Sequence, residues 1–198
     1  MKLLFENWRK YLNEGIMSLE NWPEGYSIEI YKEDLFGVYD TAYYVGLFYG
    51  KSKAGWVNVD KVHINATKPE KRFYEDECNY KLFDNLYTLH VGVDEDIESQ
   101  GFGPFLTDLA LELAYTDGKY IIPAKLVGGA GTEGAVRLYD FYLDNRDDVE
   151  KLELYVECWE DYTGVLVPDD TPESFLYLYR KKPTILNSKL AKEIITVK

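Results

Sequence analysis

Apolar and polar residues alternate over 26–33 (YSIEIYKE), and that period predicts a β-strand with one buried face. Residues 43–50 (YYVGLFYG), 56–65 (WVNVDKVHIN) and 86–94 (LYTLHVGVD) continue the series, each rich in aromatic and β-branched side chains. The period then changes. Phe105, Leu106, Leu109, Leu113 and Ala114 recur at helical spacing over 103–116, and Asp117-Gly118 ends that helix. Residues 119–127 predict the next strand, in which Pro123 requires a bulge or an edge position. After Gly128, Gly129 and Gly131, Thr132 can cap a helix over 133–144. Residues 152–160 and 174–181 predict two more strands, and 184–198 a short helix or a loose tail. Asn21–Gly25 and the polar stretch 68–80 read as loops.

The order is antiparallel-type strands, then strand–helix–strand–helix, then a strand pair. It predicts an α/β protein, specifically an α+β mixed sheet of about seven strands with helices on both faces. The first fifteen residues stand apart. Leu4, Trp8, Tyr11 and Leu12 line one helix face, with Glu6, Arg9, Lys10 and Asn13 opposite. A helix of about four turns is marginal alone, so it needs a surface to pack on. The expected division is a leader over 1–20, a domain over 21–183 and a tail over 184–198.

Composition narrows the function classes. A net charge of -13 over 198 residues disfavours nucleic acid and anionic membranes, which are both bound through Lys and Arg. The leader lacks the apolar run of a signal peptide or a spanning helix. Cys78 and Cys158 have no metal-ligand spacing and read as reduced thiols of a cytoplasmic protein. Asp94–Glu98 begins like a calcium loop. Ser99 stands where that loop needs Gly, however, and Phe105 stands where it needs a bidentate Glu, so no metal site is expected. The 18 tyrosines can pave strands, pockets or interfaces alike.

The stretch Val91–Gly103 carries the chemistry: a strand, an acidic turn, then Gly101-Phe102-Gly103 opening a helix. Glycines let a backbone approach an anion, and the first helical N–H groups point at it. With Val91, Val93, Gly101 and Gly103 in this register, the chain resembles the GNAT N-acetyltransferase superfamily. A second match is Ala135-Val136-Arg137-Leu138-Tyr139, similar to the family's A-x-x-L-Y pattern. The resemblance covers roughly residues 26–182 and implies a GNAT-like fold. Acetyl-CoA would lie in an opening beside Val91 and Val93, with its pyrophosphate at Gln100, Gly101, Phe102, Gly103 and Phe105. Tyr139 would be the general acid toward the CoA thiolate. His90 would be the base toward an amine acceptor, an imidazole being suited to that task near neutral pH; Tyr155 or Glu157 could serve instead. The bland alternatives are a hydrogen-bonded strand histidine and a core tyrosine. The acidic surface would favour a cationic acceptor.

Two departures oppose this. Glu98 stands where the family has Arg or Gln, and Pro104 removes one N–H from the cradle. The stretch DFYLDNRDDVEKLEL around Arg146 resembles GNAT-like proteins of large contractile-tailed bacteriophages; Arg146 reads either as an anchor for the loop or as part of a solvated charge cluster. That resemblance implies an alternative, a non-catalytic packaged virion protein. Its residues 1–14 would address a capsid or scaffold protein, with cleavage after Leu12-Asn13-Glu14.

Overall fold

The computed structural model describes residues 17–32, 41–62, 86–123, 138–139, 142, 146–155 and 175–198. The leader through residue 16, the stretch 68–80, both cysteines and Glu157 lie outside them. Eight strands form one mixed sheet: β1 (Tyr26–Lys32), β2 (Thr41–Tyr49), β3 (Ser52–Lys61), β4 (Leu86–Val93), β5 (Tyr120–Ile122), β6 (Val149–Tyr155), β7 (Phe175–Lys181) and β8 (Ile195–Val197). Their order across the sheet is β6-β7-β5-β4-β3-β2-β1-β8. The pairs β4–β5 and β1–β8 are parallel and the rest antiparallel.

Alternation puts Ile28 and Ile30 of β1, Tyr43, Val45 and Leu47 of β2, and Val57 and Val59 of β3 on one buried face. Helix α1 (Phe102–Thr116) crosses that face between the parallel strands β4 and β5. A parallel pair needs such a crossover. The helix is enclosed through its middle: Phe102 and every residue from Phe105 to Ala114 are buried. At about 2 kcal/mol for each large apolar side chain removed from water, Phe102, Phe105, Leu106, Leu109 and Leu113 are a main source of stability. Asp117 ends the helix, its N–H bonded to Leu113 O, and Gly118 follows at φ +70°. The Asp117 carboxylate accepts from the hydroxyls of Tyr43 and Tyr87, each at 2.9 Å, which ties the helix end to β2 and β4.

One expectation is corrected and two are sharpened. Helices do not cover both faces among the described residues. Tyr142, in helical backbone, donates to Asp108 of α1 at 2.6 Å, so its segment packs beside α1 on the same face. Of the strand expected over 119–127, β5 covers Tyr120–Ile122 and ends before Pro123, which lacks the N–H that a ladder needs; 124–127 lie outside the described residues. The short helix, one of the two expectations for the tail, is α2 (Ala191–Ile194); it leads into β8, an unexpected strand that pairs with β1 through Ile28↔Ile195 and Ile30↔Val197.

Glu112 connects the tail to the core. Its carboxylate has no exposure to water and accepts from Lys181 Nζ at 2.6 Å. It also accepts from Thr184 Oγ1 and from the backbone N–H groups of Thr184, Ile185 and Leu186, all at 2.9 Å. A buried charge is tolerated only when paired and hydrogen-bonded in this way. Glu112→Ala strands the Lys181 ammonium and three backbone donors, so the urea midpoint should fall by the equivalent of about 3–5 kcal/mol. A loss below about 1 kcal/mol, the range of an exposed ion pair, would show that Glu112 is not the anchor.

Candidate functional site

Among the described residues the parallel pairing of β4 with β5 runs through Leu86↔Tyr120, Tyr87↔Ile121 and Thr88↔Ile122. β4 continues to Val93, with β3 on one side and, among the described residues, no strand on the other from Leu89 to Val93. The opening expected beside Val91 and Val93 falls on this stretch, and residues 124–137, which follow β5, lie outside the described residues. Val91 and Val93 face α1 and pack against the core. His90 faces the other way: it is exposed and lies opposite Asn58 of β3. Gly92 shares the His90 face, and a Cβ there would lie 2.7 Å from Trp56 Nε1, so glycine admits the indole.

Beyond Val93 the chain makes a 3₁₀ turn over Glu95–Gln100, with Asp94, Glu95, Asp96 and Glu98 exposed and Ile97 buried. Gln100 is exposed at its end. Gly101 adopts φ +82°, a left-handed conformation that favours glycine, and is the N-cap of α1 with no side-chain cap. Phe105 N–H donates to Gly101 O at 3.3 Å and is already used. The Phe102 and Gly103 amides have no acceptor within the helix, and Pro104 has no N–H. The four-donor helix start thus reduces to two amides. A Cβ on Gly103 would meet only Val93 Cγ2, at 3.9 Å, so the protein itself does not require glycine there. The side chains of Phe102 and Phe105 are core groups.

Tyr139 lies on the α1 face. Its ring stands 5.0 Å from that of Tyr179 and 6.2 Å from that of Tyr142. It is 9% exposed, and its hydroxyl has no hydrogen-bond partner. The other such hydroxyl among the described residues is Thr88 Oγ1, on the last β4 residue that pairs with β5. Leaving a buried hydroxyl unpaired costs about 1–3 kcal/mol, and these two lie on opposite faces of the sheet. Tyr139 and His90 are not brought together: they flank the sheet from opposite faces. Tyr155 is exposed on the edge strand β6.

Arg146 is an anchor, not part of a solvated cluster. It holds Asp148 through Nε at 2.6 Å and a second nitrogen at 2.7 Å, and Asp108 at 2.8 Å. This pairing keeps the Asp148 carboxyl below the usual carboxylate range. Sequence reasoning missed Asp108, Glu112 and Thr88; the polar residues of α1 sit at the spacing of a solvent-facing stripe. Among the described residues no group of His, Cys, Asp and Glu could hold a metal, and no helix is long and apolar enough to cross a membrane. Comparison with known proteins finds no matching family model, curated protein or solved structure.

Burial raises the phenols of Tyr139 and Tyr142, and burial together with Asp117 raises those of Tyr43 and Tyr87, all above the ordinary value of 10.0. Above that pH the folded state keeps protons that the unfolded chain has released, so stability present below pH 10 is lost as pH rises further. Burial raises Tyr44 as well, so titration by tyrosinate absorbance should leave at least these five phenols protonated past pH 10, with the urea midpoint falling there. All 18 tyrosines ionising together in a folded protein would contradict these placements.

Proposed function

We propose that this chain has a GNAT-like fold and acts as an acetyl-CoA-dependent N-acyltransferase on an amine. The observation that carries the reading is the glycine-opened, uncapped start of α1 a short turn after β4, the strand that pairs in parallel with β5. The order of elements also supports it: antiparallel strands, then a strand, a glycine-opened helix and a parallel strand.

The residues present fit the cofactor in shape. The backbone of β4 from Leu89 to Val93, which has no described strand on its second side, would hydrogen-bond an amide-containing chain, and the Phe102 and Gly103 amides would receive a phosphate. When bound, acetyl-CoA supplies an activated acetyl thioester. Tyr139 is the candidate proton donor toward a thiolate; burial keeps it protonated but, by opposing the phenolate, weakens it as an acid. His90, exposed on the other face, accepts a proton from the acceptor amine directly or through water. Acid and base then work from opposite sides of the strand opening.

Charge opposes shape. The acidic turn repels a pyrophosphate, which favours a second reading: the scaffold is kept without its cofactor, and the protein acts through a partner, such as a phage capsid or scaffold protein bound by residues 1–14. Glu98→Arg separates the two. It should tighten acetyl-CoA binding by about tenfold, the equivalent of 1.4 kcal/mol, by relieving repulsion at the turn. Unchanged, undetectable binding in both proteins would leave the partner reading.

Tyr139→Phe separates catalysis from structure. Removing an unpaired buried hydroxyl should hold or raise the melting temperature, while turnover falls by about 10²–10⁴-fold with affinity for acetyl-CoA retained. A Phe variant as active as the parent in a broad amine panel would remove Tyr139 from the chemistry.

A further inference from the structure

We infer that Trp22 is a positioning residue for the first turn of α1. It couples the segment before β1 to whatever occupies the Phe102 and Gly103 amides, and this inference rests on the acyltransferase reading of that turn. The helix start has no capping side chain to hold it. Aromatic packing takes that role. The Phe102 ring lies 4.8 Å from that of Tyr26 and 5.6 Å from the edge-on indole of Trp22, which also stands 5.1 Å from Phe105. Tyr26 in turn packs on Tyr49 of β2 at 4.9 Å. The ladder of rings thus runs from the end of β2 to the residue directly after Gly101.

The indole is itself held. Trp22 Nε1 donates to Tyr26 O at 2.8 Å, which fixes the ring against its own chain. Gly25, at φ +87°, lies against the Tyr49 ring, where a Cβ would come within 2.7 Å, and its carbonyl accepts from Gly50 N–H at 3.0 Å. The 17–26 segment is therefore locked at one end by the β2–β3 turn and at the other by α1. Met17 and Leu19 also pack against the core. Phe102 has no exposure to water, so its ring cannot turn without moving Trp22 or Tyr26. Since Phe102 and Gly103 carry the two free amides, the direction of those amides depends on Trp22.

Coupling of this kind is reciprocal: a ligand held by the turn must stabilise the 17–22 segment, and loosening that segment must weaken the ligand. The test compares Trp22→Ala and Trp22→Phe in the full chain. Ala loses two ring pairs, so hydrogen exchange at the Phe105, Leu106 and Thr107 amides should rise about tenfold, with the Val149–Tyr155 amides as the control for global opening. Phe should restore most of that protection. With acetyl-CoA as the probe, Ala should raise Kd and KM about tenfold and leave kcat within twofold of the parent, a split that general destabilisation would not give. Unchanged exchange at the three helix amides in Trp22→Ala, or exchange that rises equally along β6, would overturn the inference. If the parent protein binds no acetyl-CoA, the acyltransferase reading fails by itself, and the exchange comparison still decides whether Trp22 holds the turn.

Discussion

A carboxylate with no contact with water, that of Glu112, holds α1, β7 and the chain beyond β7 in one arrangement. It satisfies the buried Lys181 ammonium and the backbone of the 184–186 turn at once. From that turn the tail reaches the opposite side of the sheet, where β8 covers the edge of β1. Residues 182–194 join the second strand of the order to the last. One turn earlier on the helix, Asp108 binds Arg146 and Tyr142. These two acids are the polar spine of an otherwise apolar helix. They decide which face of the sheet is covered, and so where the start of α1 meets the end of β4.

The site inherits its shape from that placement. β4 runs on to Val93 beyond its described pairing with β5, and α1 begins a short turn after it. Groups suited to proton transfer stand on opposite faces of the sheet, Tyr139 among core rings and His90 in water. This separation suits a reaction in which one partner lies in the strand opening and the other approaches from outside. The tension lies in the charges. A helix start offers its amides to an anion, while the preceding turn carries four exposed carboxylates. Shape and charge thus favour different outcomes, and the balance between them sets whether the fold transfers an acyl group.

Much of this was legible in the sequence, for local reasons. Alternation in YSIEIYKE and LYTLHVGVD located β1 and β4 within a residue, and apolar spacing with Asp117-Gly118 bounded α1. The glycine at the helix start was legible too. What stayed hidden was non-local. Asp108 and Glu112 look like solvent-facing acids because their partners, Arg146 and Lys181, lie far along the chain. β8 is too short to show a period, and only its pairing with β1 makes it a strand. Trp22 sat in an apparent loop, although the rings it touches open the helix. The opposite facing of His90 and Tyr139 was half legible: Leu89 and Val91 being apolar already turns His90 away from the core. The position of Tyr139 required the Tyr179 contact, which no spacing reveals.

The most direct measurement is a nuclear magnetic resonance titration of the isotope-labelled protein with acetyl-CoA at low salt, following each backbone amide. The account predicts the largest shifts at Leu89–Val93 and at Phe102 and Gly103, with the Val149–Tyr155 amides of β6 unmoved. Saturating acetyl-CoA that shifts no amide, or that shifts residues away from the β4 edge and the start of α1, would contradict it.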